Sequence, residues 1–378
     1  HNLLFHSVGG QRTREYLGRR GVSEQTMRRF QLGYSLDSWD SLRQELMKRG
    51  YRESELLAAG LLVQKEPEGS YDRFRQRLMF PIRDAAGRVI GFGARALDDS
   101  LPKYLNSPEN EVFRKRENLF GAPDAYQAMR RQGRFVLGEG YMDVLALWQA
   151  GLHHAAAPLG TSITEEQIRL LKRYAPAGLL VFDTDEAGRR ATERALLMCE
   201  AQDLDVEVAQ PGPGEAGQSK DPAEILERQG PEGLQKALEY HITGFQFCLN
   251  AARARHDSKT PEGKRGIIRH LSPFLKSVDS QVKRDGYFRL LAEALGVDFE
   301  SVRGDFLRWS GGSKATLSTP RDLQPPAPGA ELFLMLAVAA NREQFAQVRN
   351  MLSVDDLEEK GARSLFVALE ECYRNEEA

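Results

Sequence analysis

The amino-acid sequence predicts a protein of mixed α/β and α+β class, in which a parallel-sheet domain lies between a basic α+β segment and a C-terminal helical bundle. Three observations predict this arrangement. Two short apolar runs flank a glycine-containing loop at residues 84–87, and the middle of the chain alternates apolar strands with helices. Beyond residue 231 the apolar spacing is helical. A chain of 378 residues is long enough for two or three such domains.

These patterns give predicted domain boundaries. The linker is recognised by four prolines among Gly, Ser and Thr. The predicted parts are a basic segment over 1–132, the parallel-sheet domain over 133–222, a helical subdomain over 223–310, the linker over 311–329 and a second helical segment over 330–378.

The basic segment is predicted to combine helices with a hairpin. Its first half has the apolar spacing of helices, and its second half has two strands around a tight loop. The predicted elements are helices over 15–30 and 37–59, a turn at 32–34, and strands over 78–82 and 89–93.

Charge is divided unevenly along the chain, although the formal net charge is only −2. Residues 1–135 hold 24 Lys and Arg against 17 Asp and Glu, whereas the rest holds 28 against 37. A basic surface followed by a carboxylate-rich region predicts a binding face for a polyanion beside an acidic site.

The middle of the chain predicts a parallel sheet built from βα units. Predicted strands cover 134–138, 154–158, 178–182 and 206–208, and predicted helices cover 141–150, 165–174 and 186–201. In such sheets, ligands bind beyond the carboxyl ends of the strands.

Carboxylates are concentrated at two of those strand ends. Glu139 and Asp143 follow the first strand, and Asp183 and Asp185 follow the third. We expect Gly140 to permit a sharp turn beside Glu139. A third acidic group begins at Asp221, after a Gly/Pro-rich loop. Because carboxylate oxygens are preferred ligands of Mg²⁺, the pattern predicts a magnesium site; the alternative is that these residues only cap helices.

Other features narrow the class of protein. The three cysteines, Cys199, Cys248 and Cys372, are too far apart for a disulfide framework or a CxxC-type zinc site, and no apolar run is long enough to span a membrane. From residue 231 to about 309, and again from 331 to 374, the pattern is helical with no strand predicted. The chain starts with His1 rather than Met, so we expect it to be part of a longer protein.

Two acidic motifs resemble the TOPRIM domain shared by topoisomerases and bacterial primases: Glu-Gly-Tyr-Met-Asp at 139–143 and Asp-Thr-Asp-Glu-Ala-Gly at 183–188. Further segments resemble the DnaG-type bacterial primases in particular, over a region from about 16 to 230 and more loosely beyond it. These segments are 71–75, 79–82, 91–95, 103–109 and 159–162.

The resemblance implies roles for individual residues. It implies that Glu139, Asp183 and Asp185 are the catalytic carboxylates. These three would hold two or more ions of Mg²⁺ or Mn²⁺, and Asp143 and Asp221 would be further ligands. Where the family commonly has Asp-Pro-Asp, this chain has Ala223, so one metal position is in question. The residues that match the family's nucleotide- and template-binding cleft are Arg75, Arg95, Lys103, Tyr104, Asn106 and Lys115. The alternative for the arginines near residue 75 is a solvated strand face.

The function implied by the resemblance is synthesis of short RNA primers on single-stranded DNA, with release of pyrophosphate. It implies that the partners are nucleoside triphosphates, a primer–template hybrid and the replicative helicase. The helicase would be bound by a full-length C-terminal domain that would begin near residue 330. It also implies a monomer acting in the bacterial cytoplasm, and zinc only in an N-terminal domain that this chain lacks. The alternatives are another TOPRIM enzyme, a topoisomerase or nuclease, and a non-catalytic DNA-binding adaptor.

Overall fold

The computed structural model describes residues 1–65, 69–98, 100–160, 162–210, 221–310, 330–340, 345–349, 351–357 and 359–376. Its contacts divide the chain into two compact units, His1–Ser310 and Gly311–Ala378. The predicted linker at 311–329 lies outside the described residues. The finer boundaries within residues 1–310 stay predictions.

An antiparallel sheet forms the centre of the basic segment. Its strands lie in the order β1-β4-β5-β6, and a separate two-stranded ribbon pairs β2 with β3. The bounds are β1 Gly33–Ser35, β2 Leu62–Gln64, β3 Ser70–Asp72, β4 Arg77–Arg83, β5 Val89–Ala96 and β6 Tyr104–Asn106. The predicted hairpin is therefore confirmed as β4 and β5. The predicted turn at 32–34 is wrong, because Gly33 and Tyr34 belong to β1, which pairs with β4.

Each of the two long helices predicted for this segment is in fact two short ones. The predicted helices are interrupted at Gly21 and at Gly50, whose positive φ angles of 75° and 92° favour glycine. After the first break, the Ser23 side chain accepts a hydrogen bond from the Thr26 N–H and begins a new helix. The helices are α1 Asn2–His6, α2 Val8–Arg19, α3 Glu24–Arg29, α4 Ser41–Lys48, α5 Glu53–Ala58 and α6 Ala122–Gln132.

The predicted parallel sheet is confirmed. Strands β7 to β10 pair in parallel in the order β10-β9-β7-β8, and β11 adds an antiparallel edge beside β10. The strands are β7 Arg134–Leu137, β8 Ala155–Ala156, β9 Ala177–Leu180, β10 Asp205–Ala209 and β11 His241–Thr243. The helices between them are α7 Tyr141–Gln149, α8 Glu165–Lys172 and α9 Glu186–Ala201. Strand β11 falls in a region predicted to be wholly helical, and its short polar sequence gave no strand signal.

The sheet separates two hydrophobic cores. Alternate residues of a strand point to opposite faces. Phe135 and Leu137 of β7 accordingly lie in one core with α9 and the later helices, whereas Val136 lies in the other with α7 and the basic segment. The later helices are α10 Pro222–Leu238, α11 Gly244–Arg255, α12 Pro261–Ser277, α13 Gln281–Leu295 and α14 Phe299–Ser310. Of these, α10 belongs to the core of the basic segment, through Ala223 and Leu226.

The second unit is helical where it is described, as the apolar spacing from residue 331 predicts. It contains α15 Ala330–Ala340, α16 Phe345–Val348 and α17 Lys360–Glu376, with a 3₁₀ turn at Val354–Asp356. Met335, Phe345 and Phe366 pack in its own small core. Among the described residues of the whole chain, no helix is both long enough and apolar enough to cross a membrane.

Candidate functional site

The candidate site lies where two neighbouring parallel strands end. Glu139 follows β7 and Asp183 follows β9, and these strands pair directly. The Glu139 Oε1 atom accepts a hydrogen bond of 2.8 Å from the Asp183 N–H. A residue 44 positions earlier in the chain therefore holds the backbone of the Asp-x-Asp segment in place.

Two further carboxylates are fixed at the first turns of the helices that follow. Asp185 caps α9, and its Oδ1 accepts from the Gly188 N–H at 2.8 Å. Asp143 is buried in α7, and its Oδ2 accepts from the Gly140 N–H at 2.9 Å. Helix N-termini stabilise anions, so both carboxylates are held with the local dipole in their favour.

Asp221 completes the set from the start of α10, where its Oδ1 caps the Glu224 N–H at 2.7 Å. The family's second acidic position is filled by Ala223, which is buried against the core of the basic segment. Glu224, the next residue, forms an ion pair with Arg228 at 2.7 Å along α10.

Gly140 does not act as the sequence predicts. Its φ of −154° is extended backbone that any residue adopts, so no sharp glycine turn follows Glu139. The glycine that the site requires is Gly188 in α9. A Cβ atom there would overlap the carbonyl oxygen of Asp183 and lie 2.9 Å from Glu139 Oε1.

The carboxylates repel one another. Burial raises the pKa of Glu139, and the nearby Asp185 and Asp221 raise it further. The pKa of Asp183 is raised to about 7, first by burial and then by Glu139, Asp221 and Asp185. The pKa of Asp143 is raised well above its usual range, chiefly by burial and then by Asp221 and Asp183. A cation at this place would relieve the repulsion that raises all three pKa values.

The donor set fits a hard divalent cation, since it consists of carboxylate oxygens alone. Among the described residues, however, no three acidic, histidine or cysteine side chains are already gathered closely enough to ligate one ion. Each of Glu139, Asp143, Asp185 and Asp221 gives one oxygen to a backbone N–H. The candidate ligands are therefore oriented by the backbone.

We predict that divalent-cation binding is linked to pH through Asp183. A carboxyl whose pKa is about 7 in the fold is protonated at pH 6, and the ion must displace that proton. Mn²⁺ affinity should therefore rise as pH rises through about 7, by about tenfold per pH unit for the Asp183 proton alone. Titration calorimetry in buffers of different ionisation enthalpy measures both the affinity and the released proton. The same affinity at pH 6 and pH 8 would contradict the linkage.

The Gly188→Ala substitution is predicted to disrupt the site. The added methyl must displace the Asp183 backbone or α9, so we expect loss of Mn²⁺ binding and a free energy of unfolding lower by about 1–3 kcal/mol. Gly18→Ala in α2 is the matched control, because a Cβ there meets nothing within 4 Å and alanine favours a helix. Thermal unfolding with and without Mn²⁺ compares the two variants; unchanged Mn²⁺ binding by Gly188→Ala would refute the prediction.

The basic segment places Arg95 beside Tyr104, a residue on which Asp143 and Asp221 also act electrostatically. The Arg95 guanidinium lies 4.8 Å from the ring centre of Tyr16 and 5.7 Å from that of Tyr104. Arg95 is only 9% exposed, and its Nε and Nη1 atoms have no hydrogen-bond partner among the described residues. Buried cations are normally paired, so this guanidinium is suited to a phosphate or another anion.

Strand β6 carries two of the predicted binding residues, Tyr104 and Asn106, and Lys103 directly precedes it. The pKa of Tyr104 is raised by burial, and the charges that act on it include Asp143 and Asp221 as well as Arg95. The Tyr104 ring also stacks on that of Tyr141, the residue between Gly140 and Met142 in the first acidic motif, with ring centres 6.1 Å apart. Lys103 is exposed at the same edge.

Arg75 and Lys115 lie in other surroundings. The Arg75 guanidinium stacks 4.0 Å above the exposed Trp39 and 5.1 Å from the Tyr71 ring, and its Nη1 donates to the Asp72 carbonyl at 2.5 Å. Lys115 starts a 3₁₀ helix, Lys115–Glu117, that packs against α8. Their predicted roles in binding stay predictions.

Sequence reasoning missed residues that act only through tertiary contacts. Tyr16 and Tyr141 lie against the predicted binding residues Arg95 and Asn106. Arg20 contributes to the electrostatic surroundings of Tyr104. The available signal was position: Tyr141 stands inside the first acidic motif, and Gly188 ends the second.

Three family models match successive parts of the chain. The model "DNA primase catalytic core, N-terminal domain" matches residues 1–126, the "Toprim-like" model matches 136–226, and the "DnaB-helicase binding domain of primase" matches 245–300. The last match lies upstream of residue 330, where the resemblance to the primases implies that the helicase-interacting domain begins.

Relatives and solved structures agree with these matches. The DNA primase of Treponema pallidum is 35% identical over 387 residues, covering 99% of this chain and 63% of its own length. A DNA primase domain from Pseudomonas aeruginosa superposes with a TM-score of 0.71 at 34% identity, covering 81% of this chain and 95% of the other. A DnaG primase catalytic domain bound to single-stranded DNA superposes with a TM-score of 0.68 at 35% identity. The match covers 79% of this chain and 93% of the other.

A parallel sheet with carboxylates at the ends of its strands, beside a basic antiparallel sheet, defines a Toprim-domain protein with a primase-type N-terminal segment. The chain belongs to the DnaG-type family of bacterial DNA primases. The chain spans about half to two thirds of the length of the curated relatives it matches. It covers 63% of the Treponema pallidum DNA primase and 48% of the Clostridium acetobutylicum DNA primase.

Proposed function

We propose that this chain synthesises short RNA primers on single-stranded DNA. The observation that supports this best is a cluster of five carboxylates, two of which, Asp143 and Asp221, act electrostatically on Tyr104 of β6. The Arg95 guanidinium lies 5.7 Å from the ring centre of Tyr104, and two of its nitrogens have no hydrogen-bond partner among the described residues. Nucleotidyl transfer requires both features, because triphosphate and template are polyanions and the reacting phosphate must be positioned.

The proposed reaction joins two nucleotides. The 3′-hydroxyl of one attacks the α-phosphate of the next, and pyrophosphate leaves. Glu139, Asp183 and Asp185, with Asp143 and Asp221, would hold Mg²⁺ or Mn²⁺, which when bound would neutralise charge on the transferring phosphate. Arg95 would bind a phosphate through its fixed fork of N–H donors, and Tyr104 would stack on a base or ribose. No protein nucleophile is needed.

The proposed partners follow from this reaction. They are the single-stranded template, ribonucleoside triphosphates and the primer–template hybrid, with a monomer acting at the bacterial replication fork in the cytoplasm. The helicase contact is proposed for the helices between residues 245 and 300, supported by the family model that matches there.

The test is a primer-synthesis assay with ribonucleotides, single-stranded DNA and Mg²⁺ or Mn²⁺. We expect labelled short RNA that requires all three, with activity that falls steeply as salt is raised, since phosphate contacts release counterions. Absence of RNA under every condition would overturn the proposal. DNA relaxation or cleavage without nucleotides would favour a topoisomerase or nuclease instead.

A further inference from the structure

The side-chain amide of Asn106 is held at both ends by groups from outside its own strand. Its Nδ2 donates to the Leu159 carbonyl at 2.7 Å, and its Oδ1 accepts from the Tyr141 hydroxyl at 2.7 Å. Because a backbone carbonyl can only accept, the amide nitrogen must face Leu159 and the Tyr141 hydroxyl must be the donor. The protein itself therefore sets the orientation of this amide.

The ring of Tyr141 is buried in an aromatic cluster. It stacks on Phe80 with ring centres 4.7 Å apart, and meets the edge of Phe120 at 4.9 Å. It also stacks on Tyr104 at 6.1 Å. Tyr104 and Asn106 are alternate residues of β6 and face the same side, so one side chain contacts both.

The surrounding backbone leaves room for this contact. Gly93 in β5 pairs with Asn106, and a Cβ atom on Gly93 would overlap the Tyr141 ring. A Cβ atom on Gly160 would lie 2.9 Å from Asn106 Nδ2. Gly93 therefore permits the approach of α7 to β6, and Gly160 leaves room for the Asn106 amide.

We propose that Tyr141 is a positioning residue for primer synthesis. Through Asn106 and Tyr104 it holds β6, the strand with the candidate substrate contacts, at a fixed place relative to Glu139 and Asp143. Tyr141 lies between these two carboxylates in sequence, at the start of α7. Asn106 then acts chiefly as the bridge. This inference rests on the proposed function, and it assigns Tyr141 no contact with substrate.

The first test is Tyr141→Phe, which keeps the ring and its stacking but removes the hydroxyl and leaves the Asn106 oxygen unsatisfied. We expect kcat/KM for nucleotides to fall about 10- to 100-fold, with Mn²⁺ affinity unchanged within about twofold, because the carboxylates are untouched. Tyr126→Phe is the matched control. The Tyr126 ring stacks on that of Tyr174, with ring centres 3.8 Å apart, and takes no part in the contacts around Tyr141. Wild-type kinetics for Tyr141→Phe would overturn the inference.

The second test is a double-mutant cycle with Asn106→Leu, which replaces the bridging amide by an apolar side chain of similar size. If the two residues act as one unit, the double variant loses no more activity than Asn106→Leu alone. Both of these variants leave the Leu159 carbonyl without its donor, but the double variant no longer leaves the Tyr141 hydroxyl without an acceptor, so its Tm should exceed that of Asn106→Leu. Losses that multiply, or a Tm that falls further, would overturn the inference. If the wild type makes no RNA, the proposed function fails, while the Tm cycle still tests the bridge.

Discussion

Replacing Asp183 by Asn is expected to abolish primer synthesis and to make the metal-free protein more stable. The substitution keeps the shape of the side chain but removes a negative charge from a cluster in which burial, together with Glu139, Asp221 and Asp185, raises the pKa of Asp183 to about 7. Activity should fall by at least about 10²-fold, because Asp183 is a proposed ligand of the metal ions that would neutralise charge on the reacting phosphate. The loss of activity and the gain in stability both follow from the removal of one negative charge.

The sign of the stability effect follows from linkage. A carboxyl whose pKa is higher in the fold than in the unfolded chain stabilises the fold at low pH, and that stability is lost as pH rises through about 7. At pH 8 the neutral amide of the Asp183→Asn variant avoids this loss, and we expect a Tm higher by about 2 °C or more. At pH 5 the difference should shrink.

Asp203→Asn is the matched control, because it removes the same charge from an exposed carboxylate whose ion pair with Lys283 measures 3.8 Å. It should change neither activity nor the response of Tm to Mn²⁺. Differential scanning calorimetry at pH 5 and pH 8, with and without Mn²⁺, covers both proteins. An Asp183→Asn variant that still makes wild-type amounts of RNA would refute the proposed mechanism.

Replacing Arg95 by Met is expected to have the second largest effect. The residue is 9% exposed, and two of its guanidinium nitrogens are unpartnered among the described residues, so its removal eliminates a buried charge while Met still fills the space between Tyr16 and Tyr104. Activity should fall about 10²-fold or more, with weaker template or nucleotide binding, because a charge-assisted phosphate contact is lost. The Tm should stay the same or rise.

Arg77→Met provides the contrast. Arg77 lies on the neighbouring strand β4, is 7% exposed and donates through Nη1 to the Pro102 carbonyl at 2.8 Å. Its removal leaves a carbonyl without its donor, so Tm should fall. Kinetics over a series of salt concentrations, together with thermal unfolding, compare the two variants. If Arg95→Met lowered Tm as much as Arg77→Met, Arg95 would be a structural cation and its proposed role would be wrong.

The parallel sheet and the acidic cluster could be predicted because their signals are local. Apolar runs ending in Glu139 and Asp183 are visible in the sequence, and parallel topology brings such ends together. The breaks at Gly21 and Gly50 were missed because apolar spacing continues through them, although the backbone needs positive φ there. Strands β1 and β11 were missed because each is three residues long and depends on a partner strand for its pairing.

The second half of the site could not be predicted, because it depends on contacts between distant residues. Arg95 is buried by a ring from α2 and another from β6, and Asn106 meets a tyrosine 35 positions later. A motif can identify such residues, but it does not show which of them face a ligand and which face each other. That difference separates Arg95, with donors unpartnered among the described residues, from Asn106, with its amide already engaged.

The core that lies between the antiparallel sheet and α7 has a consequence for how the protein can be divided. It joins Leu17 and Leu78 of the basic segment to Leu145 of α7 and to Leu226 of α10. A cut at the predicted boundary of residues 132 and 133 would pass through this shared interior. The two pieces would then behave as halves of one folding unit, each needing the other before either could hold its part of the site.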